Sequence, residues 1–75
     1  MKELSLTVTN GDMLEQLCRK TDGTYWLHRW TFHNTFDMKD LGTSAVTPDE
    51  AMQWLRDNHM DDTFSTMLAE ADSAE

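Results

Sequence analysis

The chain has 75 residues, a single cysteine and a net charge of −8. A domain of this size buries only about 60% of its unfolded surface, and one cysteine excludes the intramolecular disulfide that would offset a thin core. The acidic charge excludes direct binding of nucleic acid and favours basic protein partners. No apolar run approaches the roughly 18 residues of a membrane span, and the start of the chain does not resemble a signal peptide. We therefore expect a cytoplasmic protein without a membrane partner.

A first strand is predicted near the N-terminus, where Leu4, Leu6 and Val8 alternate with polar residues. Asn10-Gly11-Asp12 then predicts a turn, because Asn and Gly tolerate positive φ. The segment after this turn fits either a helical stripe or a strand. A strand over Leu14–Lys20 is favoured, because an Asp-Gly pair follows it and such a pair between two apolar segments is a strong hairpin signal.

The segment Thr24–Phe32 is the richest in aromatic and β-branched residues, and it predicts the next strand. Alternation divides it into two faces, Trp26, His28, Trp30 and Phe32 on one and Tyr25, Leu27, Arg29 and Thr31 on the other. Packing of the aromatic stripe against helices is the favoured interpretation. A stacking platform for nucleic acid is the alternative that the overall charge opposes. An aromatic residue left exposed would anchor a protein partner or a second copy of the chain.

The rest of the chain predicts one irregular strand and two helices. His33–Val46 indicates a third or fourth strand with a bend near Gly42. Thr47-Pro48-Asp49-Glu50 combines a capping box with proline at the first helical position, which predicts a helix to about Asp57. A second helix follows an N-cap at Asp61 or Asp62, with an apolar stripe formed by Phe64, Met67, Leu68 and Ala71.

This order of elements predicts an α+β fold. We expect a three- to four-stranded antiparallel sheet followed by two short C-terminal helices that pack on one face. Residues 1–71 form a single domain in this scheme, and residues 72–75 form a frayed acidic tail.

The residues with reactive or metal-binding side chains do not form a known signature. His28, His33, His59 and Cys18 lack zinc-site spacings, and Asp57, Asp61 and Asp62 lack the order of a calcium loop. A nucleophilic pair of Cys18 with His28 across the hairpin would still need an orienting group and an oxyanion site. We therefore expect neither enzymatic activity nor a metal or other cofactor.

Two segments carry a resemblance. One is the hairpin Leu17–His28, which has a basic turn, a glycine and an aromatic strand. The other is the capped helix Thr47–Leu55, which has a Glu-Ala-x-x-Trp-Leu pattern. Together they resemble small uncharacterised proteins of Gram-positive gut bacteria and their phages and mobile elements. The resemblance covers about half of the chain and implies a sheet-plus-helix fold without catalytic residues. In size and acidity the chain is also similar to phage-encoded inhibitors of host defence, such as anti-CRISPR and anti-restriction proteins.

The uneven charge supports the main functional hypothesis. Met1–Phe36 is neutral, whereas Asp37–Glu75 has ten acidic and two basic residues. Acids four residues apart on a helix lie about 5–6 Å apart, which is comparable with phosphate spacing. We therefore predict a non-enzymatic inhibitor that blocks a basic nucleic-acid-binding groove of a host defence complex. The candidate partner-binding residues are Asp37, Asp40, Asp57, Asp61, Asp62, Glu70, Asp72, Tyr25 and Trp30.

A second hypothesis uses the aromatic residues instead of the acidic ones. In it the chain is a small structural or regulatory module that forms a homodimer or docks a protein partner through the aromatic face of its sheet. Salt would then have little influence on the association, whereas it would weaken an acidic mimic of nucleic acid.

Overall fold

A computed structural model describes residues 2–34 and 37–74 of the chain. In chain order the elements are β1 (Leu4–Asn10), β2 (Met13–Arg19), β3 (Tyr25–Asn34), β4 (Asp37–Val46), α1 (Pro48–Asp57) and α2 (Asp61–Ala74). The strands form one antiparallel sheet in the order β1-β2-β3-β4, so the predicted α+β fold is confirmed. Within the described ranges, no helix is long and apolar enough to cross a membrane.

The two tight hairpins form where Gly residues were predicted to permit them. Gly11 and Gly23 have φ values of 58° and 88°, which L-residues with a side chain adopt at a cost. In the second turn the Asp22 carboxylate accepts hydrogen bonds from the backbone N–H of Thr24, at 3.0 Å, and from its hydroxyl, at 2.6 Å. These turns fix the register that places Leu17 beside both Leu6 and Leu27.

β4 is an edge strand with an irregular register against β3. Arg29 lies opposite Gly42 and Trp30 lies opposite Asp40, so Leu41 is the extra residue of a bulge. Gly42 has a φ of 98°, and its N–H donates to the Asp40 carboxylate at 2.6 Å. The bend predicted near Gly42 corresponds to this bulge.

Both helices begin and end with recognisable signals. At the start of α1, the Thr47 hydroxyl accepts from the Glu50 N–H and the Glu50 carboxylate accepts from the Thr47 N–H, which completes the predicted capping box. After α1, His59 adopts a positive φ of 57°, and the Met60 N–H donates to the Leu55 carbonyl at 2.8 Å. This pattern is the Schellman ending of a helix.

The start of α2 corrects one prediction. Met60 precedes the first helical residue, and its carbonyl accepts the N–H of Phe64 at 3.0 Å. Met60 therefore holds the N-cap position, and its side chain packs against the core. Asp61 and Asp62 lie in the first turn, where their charges suit the helix dipole. At its other end α2 continues to Ala74, three residues beyond Ala71.

The core lies between the helices and one face of the sheet, which we call the covered face. Leu17 from β2, Leu55 from α1 and Phe64 from α2 are almost completely inaccessible to solvent. The Tyr25 ring lies 6.3 Å from that of Phe64, with a tilt of 54° between the rings. Aliphatic side chains of β1 complete the floor beneath the helices.

The helices do not pack on the aromatic stripe, contrary to the prediction. Leu17 and Leu27 face the helices, and residues adjacent to them in a strand must face the other way. Trp26, Trp30 and Phe32 therefore lie on the sheet face that no described helix covers. The two alternating faces of β3 both carry apolar bulk, and the helices cover the one with less aromatic surface.

Candidate functional site

The sheet face away from both helices is the open face. The cross-strand register places on it side chains from all four strands. Its members are Ser5, Thr7, Thr9, Leu14, Gln16, Cys18, Trp26, His28, Trp30, Phe32, Met38, Asp40, Thr43 and Ala45. β1 contributes hydroxyl groups, whereas β3 contributes the aromatic stripe along the middle. The open face is thus a mostly uncharged surface with a large apolar centre.

The aromatic stripe is held in a defined arrangement. His28 stacks on Trp30, with 3.8 Å between ring centroids and 22° between ring planes. The Trp26 indole N–H donates to the Thr24 hydroxyl at 3.1 Å. Met38, across from Phe32, is 54% exposed and extends the apolar surface to the sheet edge. Ordered aromatic side chains lose little conformational freedom on binding, which suits an interface anchor.

Within the described strands, the open face has one carboxylate, Asp40, which is one of the predicted partner-binding residues. Just before β1, Glu3 borders the face near Cys18 and pairs with Lys20 at 3.9 Å. The Asp40 Oδ1 lies 2.8 Å from His28 Nε2. The hydrogen bond from the Gly42 N–H and the one from His28 hold the pKa of Asp40 below its ordinary value. The carboxylate is therefore already engaged by two neighbours, although it remains exposed to solvent.

Cys18 also lies on the open face, opposite Ser5 and Trp26. Burial raises the pKa of its thiol, which disfavours the reactive thiolate. His28 pairs with Gln16 in the register and contacts Asp40, so the Cys18–His28 pair considered from the sequence does not form. In the described part of the chain, no three His, Cys, Asp or Glu side chains lie close enough to hold a metal ion.

Most of the net negative charge of the protein lies on the helices. Residues 2–46 contain six acidic and five basic side chains, whereas Pro48–Ala74 contains seven acidic side chains and only Arg56 as a base. Nearly all of these helical acids are exposed. We call the outward surface of α1 and α2 the acidic helical side. It lies across the sheet from the open face.

The predicted partner-binding acids are divided among separate parts of this structure. Asp57, Asp61 and Asp62 lie at the connection between the helices, and Glu70 and Asp72 lie towards the far end of α2. Asp37 and Asp40 belong to β4. The structure therefore does not bring these seven residues onto one surface.

Several of the predicted residues also have contacts within the chain. The Asp57 carboxylate accepts from the Gln53 amide at 2.8 Å, and Asp72 lies 3.7 Å from the buried Arg19. Of the two predicted aromatic residues, Trp30 lies on the open face, whereas Tyr25 packs on the covered face beside Phe64. Trp30 is thus the aromatic candidate that remains available to a partner.

A polar network on the covered face was not predicted. Glu15 is only 9% exposed, and it accepts hydrogen bonds from Arg29 Nε at 2.9 Å and from the Trp54 indole at 3.3 Å. Burial raises the pKa of Glu15, but the bonds from Arg29 and Trp54 outweigh it, so the pKa lies below its ordinary value. The Asp-Gly hairpin signal gave the register that pairs Glu15 with Arg29, and it could have revealed this ion pair.

A comparison of the chain with protein-family models, with curated proteins and with solved structures gives no match in any of the three. Function must therefore be inferred from the open face, the acidic helical side and the contacts between the described residues.

Proposed function

We propose that this protein is a small non-enzymatic binding module that self-associates through its open face. The observation that carries the proposal is the position of the helices. Both pack on the opposite face, so in the described part of the chain no helix covers Trp26, Trp30 and Phe32, which are half-buried within the sheet face itself. Apolar patches of this kind on a small protein are typical of interaction sites, and buried aromatic residues supply much of the energy of an interface.

The distribution of charge favours a second copy as the occupant. Two chains of net charge −8 repel one another in most orientations. When the open faces meet, the acidic helical sides point outward, away from the contact. The Asp40 carboxylate, which would lie in the contact, already has His28 and the Gly42 N–H of its own chain as partners. A twofold axis through the face would pair the same surface on both copies, as in most homodimers.

The size of the open face sets the expected strength. Four strands about 4.8 Å apart and seven to ten residues long give a footprint of roughly 500 Å². This value is below the roughly 800 Å² per partner of a standard interface. We therefore expect a reversible dimer, with a dissociation constant on the order of micromolar.

Met38 and Leu41 provide a matched test, because they are exposed apolar residues of the same strand, 54% and 49% exposed, on opposite faces. In sedimentation equilibrium, we expect the wild type and Leu41→Ser to form dimers with similar dissociation constants. Met38→Ser and Trp30→Ser should weaken the dimer about tenfold or more. A wild type that stays monomeric up to millimolar concentration would contradict the proposal, as would equal effects of Met38→Ser and Leu41→Ser.

The acidic helical side supports a second candidate function. The two helices carry seven acidic residues and one basic residue, which makes their exposed surface complementary to a cationic protein surface. We propose that the acidic helical side engages such a surface, with the nucleic-acid-binding groove of a host defence complex as the specific target. The open-face dimer would present two acidic sides at once, which increases avidity for a partner with two basic sites.

Charge-matched variants separate this candidate from a general effect of net charge. One variant carries Asp57→Asn, Asp61→Asn and Asp62→Asn, and the other carries Glu3→Gln, Asp12→Asn and Asp37→Asn, which lie before β1, in the first turn and at the start of β4. Capture of purified CRISPR effectors and restriction enzymes would be measured at low and high salt. The candidate predicts capture that salt weakens and that only the helical variant loses. Equal capture by both variants, or capture by neither the variants nor the wild type, would count against it.

A further inference from the structure

β4 and α1 form the two walls of a cleft on the covered side of the sheet. β4 ends at Val46 and α1 begins at Pro48, so the walls meet at Thr47. The space consists of two adjoining grooves of 540 Å³ and 280 Å³ that share Leu27 and Arg29 as their floor. The cleft exists because the helices leave β4 exposed along almost its whole length.

The lining of the cleft selects a long side chain with a positive end. Glu50 and Asp57 line it from α1, seven residues apart and therefore on the same side of the helix. The single cation on the floor, Arg29, already pairs with Glu15 at 2.9 Å. Apolar surface comes from Leu27, Val46 and Trp54. An aliphatic stem can lie on these groups while an ammonium or guanidinium group reaches the carboxylates.

The outer edge of β4 offers backbone groups to the same partner. Among the described strands, β3 is its only neighbour, so the other edge is unpaired. Exposed edges are commonly protected by charges, prolines or bulges. In β4 the charged residues and the bulge all lie before Gly42. The stretch from Gly42 to Val46 contains only small or uncharged residues and no proline. This half of the strand is open to pairing.

We propose that an extended basic segment of another protein pairs with this half of β4 as a fifth strand and places a lysine or arginine side chain in the cleft. Backbone hydrogen bonds would supply affinity, and the cleft would supply the preference for a positive side chain. This surface is distinct from the open face, so the inference stands whether or not the protein forms a dimer. It specifies a basic partner that is extended and held at a sheet edge.

The test uses the full chain labelled with ¹⁵N and three synthetic ten-residue peptides. One alternates Lys with Val, one alternates Glu with Val, and one repeats the Lys-Val sequence with N-methylated backbone amides. We expect the Lys-Val peptide alone to bind, with amide shift changes concentrated in the stretch Gly42–Val46. Changes along β1 instead, equal binding of the Glu-Val peptide, or unchanged binding after N-methylation would each overturn the proposal.

Two substitutions with the same charge change test the role of the cleft. Asp57 lines it, whereas Asp62 is an exposed residue of α2 that does not. Asp57→Asn should raise the dissociation constant of the Lys-Val peptide about fivefold, as expected for the loss of one partly screened ion pair. Asp62→Asn should change it by less than about twofold. Equal effects of the two substitutions would show attraction by net charge alone and would contradict a specific site.

Discussion

The two faces of the sheet differ in what they bury. On the covered face, the aliphatic side chains of Leu17 and Leu27 pack against the helices, and Glu15 forms an ion pair with Arg29 on the same face. The open face carries the bulkier aromatic stripe, with Trp30 at its centre, yet no helix of the described chain packs against it. The comparison teaches that side-chain size alone does not decide which face receives the helices.

The ends of the strands explain the choice. Val46, the last residue of β4, lies opposite Tyr25 on the covered face, and the capping box at Thr47 starts α1 immediately afterwards. α1 therefore begins on that side of the sheet. This start of α1 leaves the aromatic stripe on the face that no described helix covers.

The largest expected difference between the faces concerns stability. Phe64→Ala removes the largest fully buried side chain and should destabilise the protein by about 3–5 kcal/mol. A domain of this length has a free energy of unfolding of only about 4–11 kcal/mol. Trp30 is half-buried and stacks on His28, so Trp30→Ala on the open face should cost less, about 1–2 kcal/mol in dilute solution. Urea unfolding at low protein concentration measures both, and equal losses would show that the open face belongs to the core.

A smaller difference is expected from two acidic residues with lowered pKa values on opposite faces of the sheet, Glu15 on the covered face and Asp40 on the open face. Because the folded-state pKa of Glu15 lies below its ordinary value, its contribution is complete above about pH 5 and is lost as the pH falls through the lowered pKa. Glu15→Gln should cost about 1–3 kcal/mol at pH 7.

The pH dependence provides the control for this prediction. Urea midpoints at pH 7 and pH 3 should differ less in Glu15→Gln than in the wild type, because the variant has no carboxylate to protonate at that position. Asp40 is exposed to solvent, so Asp40→Asn should retain most of the wild-type pH dependence. The assignment is wrong if the two variants exchange these behaviours.

The smallest expected effect compares two threonines near the same end of the sheet. Thr47→Ala removes the hydroxyl that accepts the Glu50 N–H and should destabilise the protein by about 1 kcal/mol. Thr43→Ala changes an exposed hydroxyl on the open face and should stay within about 0.5 kcal/mol of the wild type. Thermal unfolding at one protein concentration separates them, since about 1 kcal/mol corresponds to a shift of roughly 4–8 °C. Identical melting temperatures of Thr47→Ala and Thr43→Ala would show that the capping box does not contribute measurably to stability.

Local signals in the sequence predicted the elements well. The Asp22-Gly23 pair indicated the hairpin, the Gly42 region indicated the bend, and the capping box gave the start of α1. Each of these depends on backbone conformations that only a few residue types favour, so one short segment contains the whole signal.

The covered face was harder to predict because β2 gives a misleading pattern. Glu15 and Arg19 alternate with Leu14, Gln16 and Cys18, which suggests that the charged residues face solvent. In the structure both charged residues are buried, at 9% and 4% exposure. Their burial depends on partners from other elements, Arg29 for Glu15 and the Lys2 carbonyl for Arg19. No pattern within a single strand contains that information.

The sequence nevertheless held a signal for the correct face. Leu4, Leu6 and Val8 define the apolar side of β1 without ambiguity, and the hairpin register carries that side across to Leu17 and then to Leu27. Following the register strand by strand would have identified the covered face and left the aromatic stripe on the other. The position of the acids on the helices, by contrast, required only the predicted boundaries of α1 and α2.

The central claim, that a second copy covers the open face, is tested most directly by Cys18, the one cysteine of the chain. Its thiol lies on that face beside Trp26, so its alkylation rate reports whether the face is accessible. At fixed pH, we predict that the rate constant falls as the protein concentration rises from below one micromolar to the millimolar range. A rate constant that stays the same across this range would contradict the claim.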